Sequence, residues 1–397
     1  MIIKGIYVDE KGRKKKGRIS FDKKGIITKV DSKKGRADIA FSDDCLIFPG
    51  FVDMHVHSRE DRTKEWNYKE DFKTAGEAAV NGGITAFMEM PNTPEPVLKA
   101  AQVNSRQLLA KKSKVPVVIA CGINNDSRPV KGVSNYKAYL TKSVGDLYFE
   151  STKDFENQIE LYKDLQIHVH CEDHKIIEWD PLSRPASAEI KAVREIVRMA
   201  KKHKVKLHIC HVSTSSAAKM IVSSRKYGLT SEVTPHHLYF TANDKKKDPL
   251  LKMNPPLRPK KDRDALLKLF KSGKIDALAT DHAPHTLEEK ESANPSGVPE
   301  LDTYGPFVAW LIKDKKVSLK RIVDACAKKP SQMLKLNQGI IKKDYAASFT
   351  VLNFGKPITI TKEMLRTKCG WSPFEDIIFP GRVEATIVKG KVYRNKS

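Results

Sequence analysis

The chain has 397 residues, with 72 Lys and Arg against 48 Asp and Glu, for a formal charge of +24. That length holds a barrel-sized domain of roughly 250 residues plus a smaller one, and a hydrophobic share of 40% excludes a disordered or fibrous chain. No run approaches the ~18 apolar residues of a membrane span, and the opening MIIKGIYVDEKGRKKKGRIS lacks the apolar centre of a signal peptide.

The six cysteines (45, 121, 171, 210, 326 and 369) are scattered and form no CxxC pair. Free thiols in a reducing, cytoplasmic setting are therefore expected, with no membrane partner. The positive charge falls in short runs, KGRKKKGR at 11–18 and DKKK at 244–247, which read as turns. No aromatic residues interleave with them, so a solvated Lys-rich surface is expected rather than a nucleic-acid interface.

Residues 1–48 read as short strands and turns: MIIKGIYVD, GRISFD, GIITKVD and DCLIFPG. Residues 345–397 repeat the pattern in ASFTVLNF, ITIT and GRVEATIVKGKVYRN. Period-2 alternation between glycine turns predicts β structure in both. Neither end is long enough for a core alone, so the two are expected to pair into one small β domain.

Between them, over 49–344, short apolar runs alternate with helical stretches eight times. The runs are LIFPGFVDMHVH, ITAFMEMPN, VPVVIACGI, YKAYL, IHVHCED, VKLHICHVS, TSEVTPHHL and IDALATDHAPH. The clearest helix is SAEIKAVREIVRMAKKH, with Ile190, Val193, Ile196, Val197 and Ala200 on one face. Eight strand–helix units predict an α/β fold, a (β/α)8 barrel whose chemistry sits at the C-terminal strand ends.

Those ends carry most of the 12 histidines. His55 and His57 close the first run, and alternation puts both on one face. The fifth run offers His168, His170 and His174, the sixth His208, Cys210 and His211, and the eighth Asp281, His282 and His285. A packed core histidine explains any one of these, but not their clustering at one end. Imidazole and carboxylate ligands without paired cysteines suit zinc or a similar divalent ion at a catalytic site. His211 shares the face of Leu207 and Ile209, and His170 lies nearer its strand end than His168, so these two are the better candidates. Asp281, at a strand tip, can both touch a metal and take a proton from water.

At these residues the chain resembles the cyclic amidohydrolases of the amidohydrolase superfamily, and among them most closely the dihydroorotase family. The landmarks are GFVDMHVHSRE, GGITAFMEMPNT, HVHCED, HICHVST, EVTPHHL, KMNPPLR and ATDHAPHTLEEK, in collinear order. The resemblance implies a TIM barrel with a small β domain from both termini. It implies two Zn2+ ions per subunit bridged by hydroxide and carboxylated Lys137. His55, His57 and Asp281 would hold one metal, and His170 and His211 the other. Arg59, Asn92 and His285 match residues that hold the substrate's α-carboxylate, and Asn254 joins the substrate set. Hydantoinases and allantoinases share the metal site but not that full set. For Arg59 the alternative is a surface ion pair to Glu60 or Asp61.

The implied activity is reversible cyclisation of N-carbamoyl-L-aspartate to L-dihydroorotate in pyrimidine biosynthesis, with Asp281 as the catalytic proton carrier. Homo-oligomerisation, or contact with the preceding pathway enzyme, is left open. Some relatives bind a third metal near residues matching Cys210 and Glu232; here a packed thiol and a surface or structural glutamate are expected. Two stretches depart from the family pattern. Asp61 and Arg62 replace a usual Pro-Gly, and LTKSVGDL after Lys137 matches the family's active-site loop only loosely, leaving Thr141 and Ser143 without a role.

Overall fold

The computed structural model describes residues 1–31, 36–143 and 145–394. Both ends of the chain meet in one eight-stranded sheet. Ile2–Val8, Lys14–Phe21 and Ile27–Val30 form an antiparallel meander. Cys45–Pro49 lies parallel to the first of these and antiparallel to Phe349–Asn353, which continues through Arg382–Val388 to Lys391–Arg394. Alternation turns Ile3, Ile19, Phe21, Ile47, Phe349 and Ile387 into a common core.

Two expectations are corrected here. The basic run at 14–18 lies on a strand, not in a turn: Lys14, Lys15 and Lys16 pair with Val8, Tyr7 and Ile6. The backbone is satisfied by the ladder while the long side chains reach water. DKKK likewise closes a short helix, Ala242–Lys247, with its lysines at the end where the helix dipole favours cations. The ITIT segment also leaves the main sheet. Ile358–Thr359 pairs with Ile378–Phe379 in a separate ribbon. The connecting stretch packs on the barrel, where Thr367 N donates to Asp302 at 3.0 Å and Trp371 Nε1 donates to the His285 carbonyl at 2.8 Å.

The central region is a (β/α)8 barrel. Its parallel strands run in chain order: Phe51–Val56, Ile84–Glu89, Val117–Ile119, Asn135–Tyr139, Gln166–His170, Lys206–Ile209, Leu229–Val233 and Ala277–Leu278. The first three pair with one another, as do the last five. Cys121–Gly122, just past the third strand, pairs with the fourth and joins the two groups. The ring closes where Val56 bridges His282 and His57 N donates to the His282 carbonyl at 2.8 Å. Most of these strands are buried on both faces, hence their near-continuous apolar runs.

The helix Ala186–His203 follows the fifth strand as expected, but its buried face is centred differently. Ala188, Ala192 and Met199 join Val193, Ile196 and Ala200 inside, while Ile190 and Val197 are only half-buried. Two alanines, Ala188 and Ala192, thus take part in the buried face, and Ile190 and Val197 fall at its flank.

Because Phe349 is fully buried and its ring lies 6.3 Å from that of Phe21, it links the two chain ends. Phe349→Ala is expected to lower stability by about 3–5 kcal/mol, and an exposed Lys14→Ala by less than about 0.5 kcal/mol. Denaturant unfolding followed by circular dichroism measures both.

Candidate active site

At the C-terminal end of the barrel, His55, His57, His170, His211 and Asp281 line one cavity. The first strand supplies both of its histidines from one face. Oδ1 of Asp281 stands 3.2 Å from His55 Nε2 and 3.1 Å from His57 Nε2. His170 Nδ1 lies 3.1 Å from His211 Nε2. Donor atoms of His55, His211 and Asp281 all fall within 4.8 Å of one another. Lys137 is fully buried at the same level, with Nζ 3.5 Å from His55 Nε2 and 2.9 Å from Cys210 Sγ.

The alternatives left open in the fifth, sixth and eighth runs are separated by depth. His168 lies one step below His170 and bonds Asn135 at 3.2 Å. His208 bonds Thr230 and Glu232, and His282 accepts from the backbone of Glu300 and Leu301. His174 starts a helix and stacks on Tyr148. These four are packing residues, outside the cavity's wall.

The donor set fits divalent metal. Burial holds His57 at about 3 and keeps His170 and His211 below the ordinary histidine value, so their imidazoles are neutral at neutral pH, the form that can bind metal. Burial alone would raise Asp281, but His55 and His57 outweigh it and keep the carboxylate charged. Nδ1 of His211 is buried and without a hydrogen-bond partner among the described residues. The hydrogen-bond neighbours of Lys137 Nζ are a thiol and an imidazole, and no carboxylate among the described residues forms an ion pair with it. A carbamate on that nitrogen would change the misfit into a ligand.

Arg59 enters the same cavity and is 1% exposed, which removes the surface-pair alternative. Glu60 is taken by Lys112 and the Phe72 amide, and Asp61 by Thr63 and Glu95. Arg59 Nε donates to the Pro284 carbonyl at 3.3 Å, Nη2 lies 3.4 Å from His285 Nε2, and Nη1 has no partner among the described residues. Asn92 and Asn254 are also on the wall, whereas His285 stands behind Arg59. Asn254 donates to Ser143 at 3.3 Å and accepts from Ser296 at 3.1 Å, so Ser143 does reach the cavity. Thr141 instead faces His174 at 3.4 Å.

Glu172 and His236 add to the expected set. Glu172 backs His170 Nε2 at 2.9 Å and is itself paired with Arg184, whose Nε is 3.0 Å away. Of the two settings expected for Glu232, surface or structural, the structure shows the second: it is fully buried, contacts His55 Nδ1 at 2.6 Å and His208 at 3.0 Å, and with Cys210 and His55 forms a second cluster of metal-type donors. His236 lines the cavity with Glu300 3.1 Å behind it. Glu172 and His236 lie within HVHCED and TPHHL, so proximity to the motif histidines was the available signal. The departure at Asp61 is also explained. Its buried carboxylate receives the Thr63 and Glu95 amides at 2.9 Å each, tying the first loop to the second without a Pro-Gly turn. Arg59, His211 and Asp281 all adopt positive φ, a left-handed backbone conformation that costs energy for residues other than glycine.

Residues 46–393 match the sequence signature of the Amidohydrolase family. A dihydroorotase of Pyrococcus furiosus is 36% identical over 93% of this chain and 86% of its own length. A dihydroorotase of Methanothermobacter thermautotrophicus is 32% identical over 91% and 88%. Among solved structures, an L-hydantoinase from Arthrobacter aurescens superposes with a TM-score of 0.88, at 22% identity over 100% of this chain and 96% of its own, a likeness of fold. The chain belongs to the amidohydrolase family. Within it, the relatives place this enzyme among the cyclic amidohydrolases.

Carboxylates that back metal-binding imidazoles typically set affinity by 10–100-fold. Glu172→Gln is therefore expected to weaken divalent-metal binding by roughly that factor while the fold persists, as read by competition with a chromophoric chelator.

Proposed function

We propose that the enzyme is a zinc-dependent dihydroorotase, interconverting L-dihydroorotate and N-carbamoyl-L-aspartate. The observation that carries this reading is the cavity shared by metal-type ligands and Arg59, whose buried Nη1 has no partner among the described residues. A guanidinium held there suits a substrate that carries a carboxylate beside its hydrolysable ring. The relatives named dihydroorotases, at 30–36% identity, support the same choice.

His55, His57 and Asp281 would hold one metal, His170 and His211 the other, with Lys137 as a carbamate between them. When bound, the metals supply Lewis acidity, polarising the ring amide and making water acidic enough to lose a proton near neutral pH. Both imidazoles contact Oδ1 of Asp281, which leaves Oδ2 to carry the proton. In ring opening, Asp281 takes that proton from the attacking water and returns it to the departing ring nitrogen as the C–N bond breaks. In ring closure it protonates the oxygen that leaves as water. Arg59, with Asn92 and His285, orients the carboxylate, and Asn254 positions the ring. Burial of these groups on strand ends fixes their geometry before substrate arrives.

Asp281→Asn is expected to lower kcat by at least about 10³-fold, the scale of losing a catalytic proton carrier. Normal turnover by that variant would remove the assigned role. Arg59→Met should raise KM for dihydroorotate by about 10–100-fold, the worth of a charge-assisted contact; an unchanged KM would count against the carboxylate contact. Activity should vanish on chelation and return with zinc. A spectrophotometric assay with dihydroorotate, hydantoin and allantoin tests the substrate itself, and preference for either neutral ring would overturn the proposal.

A further inference from the structure

Lys69 has no part in the site as described, yet it stands one contact behind it. It is 7% exposed. Its Nζ lies 2.8 Å from Glu289 Oε1 and 3.3 Å from Nδ1 of His285. Glu289 is itself fixed: it closes a capping box with Thr286 and accepts from the Tyr68 hydroxyl at 2.5 Å. The Trp66 ring covers both nearby cations, with Lys69 Nζ 5.2 Å and Arg59 Cζ 5.8 Å from its centroid. The ammonium is thus anchored on one side and aimed at the imidazole on the other.

An ammonium has donors only, so Nδ1 of His285 must offer its lone pair, and a neutral ring then carries its proton on Nε2. The competing acceptor for an Nδ1 proton, Glu289 Oε2, is 3.6 Å away and beyond hydrogen-bond reach. At the opposite edge, a Cβ added to Gly297 would come 3.2 Å from Cδ2, so the Nε2 side faces the Ser296–Val298 wall of the cavity. Burial first, then Arg59, Lys69 and Lys290, hold the ring far below the ordinary histidine value, so no second proton is taken up. Arg59 Nη2 and His285 Nε2, 3.4 Å apart, are then two donors that cannot satisfy each other. Both suit an anion lying between them.

We propose that Lys69, anchored by Glu289, is a positioning residue that locks His285 as the neutral Nε2–H tautomer and so presents a second donor beside Arg59 to the substrate carboxylate. The inference rests on the carboxylate role proposed above for Arg59 and His285. It accounts for an otherwise unfavourable arrangement, an imidazole wedged between two cations. It also makes the anion site a property of the Lys69–Glu289 pair as well as of the residues that touch substrate.

The test is nitrogen NMR of the full-length protein labelled at histidine, with the His285 signals assigned by their loss in His285→Asn. The wild type is expected to show a protonated Nε2 and a bare Nδ1. Lys69→Met should lose that pattern, and Lys69→Arg, which keeps a donor and the Trp66 contact, should retain it. Kinetically, Lys69→Met should raise KM for dihydroorotate about tenfold with kcat within about twofold, and Lys69→Arg should restore most of the loss. An unchanged tautomer in Lys69→Met overturns the proposal, as does an unchanged KM despite an altered tautomer. Failure of the wild type to process dihydroorotate would instead defeat the functional reading, and the NMR comparison would still decide what Lys69 does to His285.

Discussion

The site depends on how the first and eighth strands are held together. Asp53, fully buried, accepts from the His55 amide at 3.1 Å, the Thr280 amide at 3.0 Å and the Thr280 hydroxyl at 2.5 Å. Burial pushes its carboxyl up to about 8 even against those three donors. This one side chain ties residues 227 positions apart and closes the ring at its catalytic end. His55, His57 and Asp281 converge only because the backbones that carry them are joined immediately below.

Around that closure, charge is buried in backed sets. His55 leans on Glu232, which also holds His208; His170 leans on Glu172, held in turn by Arg184. His236 has Glu300 behind it. Isolated, each of these groups would cost several kcal/mol to remove from water. Linked, they fix ring orientation and tautomer, the requirement for a metal ligand that must be neutral and correctly aimed. Burial drives His57 and His211 toward the neutral form while their neighbours keep Asp281 and Glu232 charged. One environment thereby sets opposite protonation states in adjacent side chains.

The small sheet contributes in a different way. It gathers both chain ends, and the strand Cys45–Pro49 passes directly into Phe51–Val56, so the terminal domain launches the first barrel strand. The long segment before Arg382 returns to the catalytic end, where Trp371 holds the carbonyl of His285 and Thr367 packs against Glu70. The loop that carries His285 is thus braced by chain from far along the sequence.

Periodicity and residue type were enough to read the barrel, its order of strands, the pairing of the chain ends and the strand-end histidines. Period-2 alternation and apolar runs are local consequences of burial, and they survive in one dimension. That His170 rather than His168 lies on the cavity wall was legible, because depth along a strand is a matter of counting. His211 was preferred for its face, yet it is His208 that packs on interior His168 and Glu232, and His211 reaches the cavity from beyond the strand end at positive φ. The setting of the lysine run on a strand was not legible, since ladder hydrogen bonds are satisfied by a partner and leave no trace in the run itself. Nor were Glu172, Asp53 and Lys69. Each acts through one particular neighbour, and a lone acid or lysine in a sequence has no period or spacing to mark it. The type of chemistry was written in the chain, whereas the tertiary structure decided which charges back which ligands, because that pairing exists only between strands brought together by closure of the ring.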